Sequence, residues 1–162
     1  MNSPRAGGAA AEQELSKRRL RLWLHLLRTT RSIEADLREF LRVEHNTTLP
    51  RFDVMAALYR HLDGLTMGEL SRYLLVSNGN VTAVVDRLSK DGLVLRTQHE
   101  NDRRSLRVSL TEAGQQQFAA MAERHERQVN ELFAELDAAA IDALNQLLRR
   151  CEHPRVPLGD VI

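Results

Sequence analysis

The fold of this chain is decided by residues 66–92, which read TMGELSRYLLVSNGNVTAVVDRLSKDG. Thr66 stands three residues before Glu69, the spacing of a capping box, in which each side chain accepts a hydrogen bond from the other residue's backbone N–H. Ser77 is a second N-cap, and Gly92 marks the end of the helix that follows it. The apolar stripe of that helix consists of Val81, Val84, Val85 and Leu88. The stretch therefore predicts two short helices joined by a tight turn, a helix-turn-helix.

Two short runs with strand-like composition follow this helix pair. Leu93–Thr97 and Leu106–Leu110 predict a β-hairpin, with the adjacent cations Arg103 and Arg104 near its tip. A hairpin directly behind the second helix makes a winged helix-turn-helix, whose helix fits a major groove of DNA while the hairpin reaches the neighbouring groove. The paired arginines would then meet phosphates or a narrow minor groove.

The regions on either side of this core are predicted to be helical. A long helix is expected from Leu15 to Arg42, where apolar residues recur in steps of three and four. A second begins at Pro50, and Thr111 and Asp137 can cap two more beyond the hairpin. The predicted class is mainly α with a small β-hairpin wing (α+β), a winged helix-turn-helix core flanked by N- and C-terminal dimerisation helices.

These elements divide the chain into five predicted regions. They are a disordered N-terminal tail (residues 1–14), an N-terminal dimerisation helix region (15–48), the winged helix-turn-helix DNA-binding domain (49–111), C-terminal dimerisation helices (112–152) and a C-terminal tail (153–162). Amphipathic helices that flank a small core leave an apolar stripe in need of a partner, which favours a homodimer. An intramolecular bundle of the same helices is the alternative.

Composition narrows the class of protein. A chain of 162 residues suits one domain, and because the net charge is only +1, any basic footprint must be local. The single cysteine, Cys151, excludes an intrachain disulfide, and the absence of a targeting or spanning pattern favours a cytoplasmic protein without membrane contact. The six histidines are scattered and no phosphate-cradling glycine loop occurs, so no catalytic site, metal site or cofactor is predicted.

Small polar residues open the second helix of the pair and permit close approach to DNA. Serine, threonine and asparagine can bond phosphates or base edges, and helix N-terminal amides favour a phosphate. The predicted DNA contacts are Ser77, Asn78, Gly79, Asn80, Thr82, Ala83, Arg87, Arg103 and Arg104. Ordinary turn chemistry at Asn-Gly and a solvated hairpin tip are the alternatives. A winged helix that binds protein instead of DNA is the competing function.

Two stretches, residues 65–94 and the sequence DRRSLRVSLTEAG at residues 102–114, resemble the MarR family of bacterial transcription regulators. The resemblance extends over residues 20–148. It implies a homodimer that binds a pseudo-palindromic site on double-stranded DNA, with one recognition helix per half-site. It also implies that Asp102 braces the wing, that Arg104 enters the minor groove and that residues 77–87 face the major groove.

The resemblance further implies a repressor that releases DNA when a small anionic or aromatic ligand binds. Residues 20–60, together with the sequence VSNGNVT at residues 76–82, are similar to a branch that controls the breakdown of aromatic acids, including repressors that respond to hydroxycinnamoyl-CoA thioesters. Such a thioester needs an apolar slot and several cations. The candidate slot residues are Trp23, Leu27, Phe52, Met55 and Tyr59, and the candidate cations are Arg19, Arg28, Arg31 and Arg51. Core packing and a solvated surface are the alternatives, and oxidation of Cys151 is a different candidate signal.

Overall fold

The computed structural model describes residues 5–99 and 102–151. Within these ranges the chain forms helices and strands in the order α1 (Arg5–His45), α2 (Leu49–Arg60), β1 (Leu65–Thr66), α3 (Met67–Tyr73), α4 (Asn78–Lys90), β2 (Val94–His99), β3 (Asp102–Leu110), α5 (Glu112–Leu132) and α6 (Ala138–Arg149). The predicted class, mainly helical with a small β wing, is confirmed. No helix in the described ranges combines the length and the apolar character that crossing a bilayer demands.

The helix-turn-helix forms through the predicted caps. The backbone N–H of Thr66 donates to Glu69 Oε2 at 2.8 Å, and that of Glu69 donates to Thr66 Oγ1 at 3.2 Å, which completes the capping box of α3. The hydroxyl of Ser77 accepts from the backbone N–H of Asn80 at the start of α4. Gly92 follows α4 with a φ of +72°, a conformation that glycine adopts without steric cost. The two helix caps and the glycine after α4 are therefore those that the sequence predicts.

The wing belongs to a three-stranded sheet of order β1-β3-β2. Strands β2 and β3 pair antiparallel, with Val94 opposite Leu110, and the two-residue strand β1 pairs Leu65 with Val108. The sequence does not predict β1, because two residues carry no alternation. The second hairpin strand begins at Asp102, before the predicted start at Leu106. The sequence missed this start because the first residues of the strand are too polar to show a strand pattern. The twin arginines therefore belong to β3.

Helix α1 begins ten residues earlier than the predicted start. The sequence indicates a disordered tail over residues 1–14, whereas the structure has helix from Arg5 onwards; residues 1–4 lie outside the described part. The stretch AAAEQEL at 9–15 consists of strong helix formers but has no apolar periodicity. Its intrinsic helix propensity favours the helical state that the apolar pattern does not predict. Glu12 and Glu14 also pair with Arg19 and Arg21 two turns later, although such exposed pairs stabilise little.

The buried core lies beneath the helix-turn-helix and excludes two of the flanking regions. It contains Leu41, Phe52, Val54, Met55, Ala57, Leu58, Leu70, Val81, Val85, Leu88, Leu93, Val94, Val108, Leu110, Phe118 and Met121. Helix α1 contributes to this core only near its C-terminal end, and α6 contributes no buried residue. The N-terminal half of α1 and all of α6 therefore stand outside the core of the single chain.

The turn between α3 and α4 contains a strained residue. Leu75 has a φ of +55°, and the backbone N–H of Val76 donates back to the carbonyl of Ser71, so Leu75 occupies the helix-ending position that glycine prefers. A residue with a β-carbon in this region costs about 1–2 kcal/mol.

Leu75→Gly is expected to raise the free energy of unfolding by about 0.5–1 kcal/mol, because relief of the strain outweighs the greater freedom of glycine in the unfolded chain, and a side chain that is 59% exposed loses little packing. Urea unfolding followed by circular dichroism measures the change. Leu62→Gly is the matched control, since Leu62 is 73% exposed and has no positive φ, and it should not become more stable. A loss of stability in Leu75→Gly would contradict the strain argument.

Candidate nucleic-acid interface and adjoining cavity

Helix α4 presents one polar exposed face and one buried apolar face. Val81, Val85 and Leu88 are at most 1% exposed and hold the helix against the core. The structure brings the predicted α4 contacts together on the opposite, exposed side: Ser77, Asn78, Gly79, Asn80, Thr82, Ala83 and Arg87. Among the residues that the structure describes, Arg87 makes no ion pair. A helix of this kind can approach a duplex closely and offer a free guanidinium.

Two arginines that the sequence-based prediction leaves out hold the wing in place. Arg96 of β2 donates from Nη2 to Oδ1 of Asp86 on α4. Arg107 of β3 donates from Nη1 to the backbone carbonyl of Gly64 at 2.6 Å. The hairpin is thereby tied to α4 on one side and to the loop after α2 on the other. An acid in the middle of a helix and an arginine ten residues later give no sequence signal for such a pair.

The remaining predicted wing residues are placed only in part. Asp102 pairs with His99 through the backbone at the end of the hairpin, and Arg103 and Arg104 follow it in β3. The side chains of these three residues lie outside the described part of the chain. Their predicted roles in bracing the wing and contacting DNA therefore stay predictions.

The predicted ligand residues of α2 have other surroundings. Arg51 donates to Asp91 at 2.6 Å and joins the start of α2 to the end of α4; its side chain is 20% exposed. Phe52 and Met55 are buried in the core, where the ring of Phe52 stacks on His125 with centroids 4.3 Å apart. In the single chain these three residues therefore form an ion pair or pack in the core, and they do not line an open slot.

The other predicted ligand residues are spread over two helices. Tyr59 is partly exposed and its ring lies 4.9 Å from that of Phe118. On α1, Arg19, Trp23, Arg28 and Arg31 are exposed and Leu27 is half-buried. None of the nine predicted ligand residues lines the cavity that the structure contains. The structure thus does not bring the predicted slot together as one pocket within the described chain.

A cavity of about 440 Å³ lies between α1, α2, the turn after α3 and the inner flank of α4. Its aliphatic walls include Leu49, Val54, Leu74, Val76, Val81 and Val84. Asn80 and Ala83, which the sequence assigns to DNA contact, also line it. The same stretch of α4 therefore contributes to the exposed face and to the cavity wall. The sequence cannot show this, because the cavity forms only when α1 and α2 pack beside α4.

Asp53 is the half-buried acid of this cavity. Burial is the main cause that raises the pKa of its carboxyl to about 6; the nearby Glu34 carboxylate acts in the same direction, and the Arg38 guanidinium opposes them. Arg38 is bonded to Glu34 at 2.7 Å, whereas Asp53 accepts no hydrogen bond from any described side chain. Partial burial without a donor among the described side chains disfavours the charged form of this carboxyl group.

The raised pKa of Asp53 makes the stability of the fold depend on pH. Because the folded pKa of Asp53, about 6, lies above its ordinary value of 3.8, the folded state holds the proton more tightly. The resulting stabilisation is fully present below the ordinary pKa and is lost as the pH rises through about 6. At neutral pH the cavity therefore contains an ionised group that opposes folding.

Comparisons with known proteins agree with this architecture. A model of the MarR family matches residues 45–105. A MarR family transcriptional regulator from Silicibacter pomeroyi is 37% identical in a solved structure, over 85% of this chain and 97% of that chain, with a TM-score of 0.69. The relatives are transcriptional regulators and not enzymes.

Two further proteins are similar to this chain at lower coverage or lower identity. The transcriptional activatory protein BadR of Rhodopseudomonas palustris is 33% identical over 96 residues, which are 58% of this chain and half of BadR's length. The structure of CouR from Rhodococcus jostii RHA1 bound to p-coumaroyl-CoA has a TM-score of 0.74 over 82% of this chain and 92% of that chain. Its identity is 18%, so this likeness concerns the fold alone.

Proposed function

Because this chain belongs to the MarR family of transcriptional regulators, we propose that it acts as a homodimeric repressor that binds a pseudo-palindromic DNA site and releases it when a small ligand binds. The observation that carries the proposal is the exposed polar face of α4 beside a hairpin that is fixed to it by the Arg96–Asp86 contact. A helix whose apolar face is buried in the core and whose polar face is exposed can insert into a major groove.

The contacts with DNA follow from the chemistry of this face. The backbone N–H groups at the start of α4 favour a phosphate, and the small side chains from Ser77 to Ala83 allow the helix to enter the groove. Arg87 would reach a phosphate or a guanine edge from the middle of the helix. Arg103 and Arg104 of β3 would meet the neighbouring groove, in keeping with the sequence-based expectation.

The homodimer is supported by the apolar side chains that the single chain leaves uncovered. They lie on the N-terminal half of α1 and on α6: Leu20, Trp23, Leu24, Ile141, Leu144, Leu147 and Leu148. Exposed apolar side chains at helical spacing mark an interface, and a two-fold copy would cover them with the same surface. Two recognition helices would then enter successive major grooves about 34 Å apart.

The effector is proposed to occupy the cavity beside α4. An occupant there would lie against Asn80 and Ala83, so it would change the position of the DNA-contacting face directly. The sequence-based expectation is an anionic or aromatic effector. An aromatic acyl-CoA thioester, the class of molecule bound in the CouR structure, is the anionic candidate; its phosphates would meet exposed arginines of α1 such as Arg28 and Arg31, which lie outside this cavity.

The test is binding to the DNA upstream of the protein's own gene, measured by fluorescence anisotropy over a range of salt concentrations. Arg87→Ala is expected to weaken binding about tenfold and to reduce the salt slope by about one, because one cation fewer displaces counterions. Arg127→Ala on α5, whose guanidinium pairs with Glu123, is the matched control and should bind like the parent. Salt-independent binding, or none, would contradict the proposal and favour a winged helix that binds protein.

A further inference from the structure

The charges inside the cavity are unequal. Its charged lining residues are Glu34, Arg38 and Asp53, which sum to one net negative charge. The cation of Arg38 is already bonded to Glu34; the side chain of Arg38 is exposed and that of Glu34 is partly exposed. Asp53 is the more deeply buried group and has no partner among the described residues. A ligand that enters this space therefore meets one carboxylate that forms no ion pair with a described side chain.

From this arrangement we propose that the cavity beside α4 selects an apolar organic cation, whose ammonium group is held by Asp53, and that it rejects carboxylates. The inference rests on the proposed function in taking this cavity as the effector site. It departs from the anionic effector that the sequence favours, because the predicted site contains arginines whereas the cavity contains an unpaired acid.

Electrostatics decide between the two kinds of ligand. Two unit charges in contact interact more strongly at a protein surface than in bulk water, because the effective dielectric constant is lower there, although part of the gain is lost to desolvation. For an ammonium ion this interaction is favourable, and its N–H groups can donate to the Asp53 carboxylate, which accepts no hydrogen bond from a described side chain. For a carboxylate the same interaction is repulsive; Glu34 adds to the repulsion, and Arg38, which is bonded to Glu34, offsets part of it. The aliphatic walls suit the apolar body of either ligand, so they do not discriminate.

The position of Asp53 gives the ligand a route to the DNA-contacting face. Asp53 belongs to α2, whereas Asn80, Ala83 and Val84 on another wall belong to α4. A molecule anchored at Asp53 extends its apolar part against α4, and the size of that part sets how far α4 must move. The charge would therefore determine which class of molecule binds, and the bulk would determine whether DNA is released.

The test uses three probes with one apolar body and different head groups: 1-naphthylmethylamine, 1-naphthalenemethanol and 1-naphthoate. Isothermal titration calorimetry on the full chain at neutral pH should give an affinity for the amine at least about tenfold higher than for the naphthoate, with the alcohol between them. Asp53→Asn, which preserves shape and removes the charge, should lower the affinity for the amine about tenfold and leave the alcohol almost unchanged.

Asp63→Asn is the matched control, because Asp63 is an exposed aspartate in the turn after α2 and does not line the cavity. It should preserve the preference for the amine. The affinity for the amine should also fall as the pH is lowered through about 6, since protonation of Asp53 removes the charge that holds the ammonium group. Asp53→Asn should abolish this pH dependence.

The outcomes separate this inference from the proposed function. Tighter binding of naphthoate, binding of none of the probes, or an amine preference that survives in Asp53→Asn would overturn the inference. Release of DNA by naphthoate in the anisotropy assay would overturn the inference while leaving a ligand-responsive regulator in place. Selective binding of the amine to a protein that shows no affinity for DNA would leave the inference standing and overturn the proposed function.

Discussion

Replacing Gly114 with alanine is expected to lower the free energy of unfolding by about 3 kcal/mol, because a β-carbon has no space at this position. It would lie 2.1 Å from the carbonyl oxygen of Leu93 and 3.0 Å from its carbonyl carbon. Both are backbone atoms, and that oxygen also accepts the backbone N–H of Thr111 at 3.0 Å. Relief therefore requires α5 to move away from the start of the wing.

Urea unfolding measures this loss, and Gly68→Ala is the matched control. Gly68 lies in α3 and a β-carbon there meets nothing within 4 Å, so its stability should stay within about 1 kcal/mol of the parent or rise slightly. Since Leu93 leads into β2, Gly114→Ala should also loosen the wing and weaken binding to DNA. An unchanged unfolding curve would mean that α5 does not rest on the wing in the way described.

The second large effect is expected from charge on α6. The double substitution Leu144→Glu and Leu147→Glu should convert the proposed dimer to monomers and weaken DNA binding by about a hundredfold or more, because two linked half-sites bind far more tightly than one. Both leucines are exposed in the single chain, 41% and 55%, and α6 buries nothing in the core. The variant should therefore keep its own fold.

Sedimentation equilibrium measures the mass and fluorescence anisotropy measures the affinity for DNA. Gln146→Glu adds a charge on the other side of α6, so it should remain dimeric and bind DNA like the parent. A double variant that is still dimeric, with unchanged affinity, would place the interface elsewhere and leave the apolar side of α6 unexplained.

The features that the sequence predicted correctly depend on contacts between near neighbours in the chain. Thr66 caps with Glu69, and Ser77 caps with the backbone of Asn80, across three residues each. Such contacts join residues that are three or four positions apart, so the sequence alone locates the helix-turn-helix, the wing and the caps at Thr111 and Asp137. It does not locate the start of α1, because alanine-rich helix carries propensity without an apolar pattern.

The cavity shows the opposite case. Glu34, Asp53 and Asn80 come from three different helices, and nothing in their spacing relates them. The aromatic and basic residues chosen for a ligand slot instead had plausible chemistry, but Phe52 and Met55 are consumed by the core and Arg51 by its ion pair with Asp91. Burial gives these three residues a structural role in the single chain, and the predicted binding role of the nine residues stays a prediction.

Sequence by itself thus determined the winged helix-turn-helix and the polar face of α4, because periodicity and capping act over a few residues and need no knowledge of the rest of the chain. Only the tertiary structure decided that the back of α4 borders a cavity, and that an unpaired carboxylate lies inside it. Burial and the approach of charges from separate helices depend on packing, and packing exists only once the chain has folded.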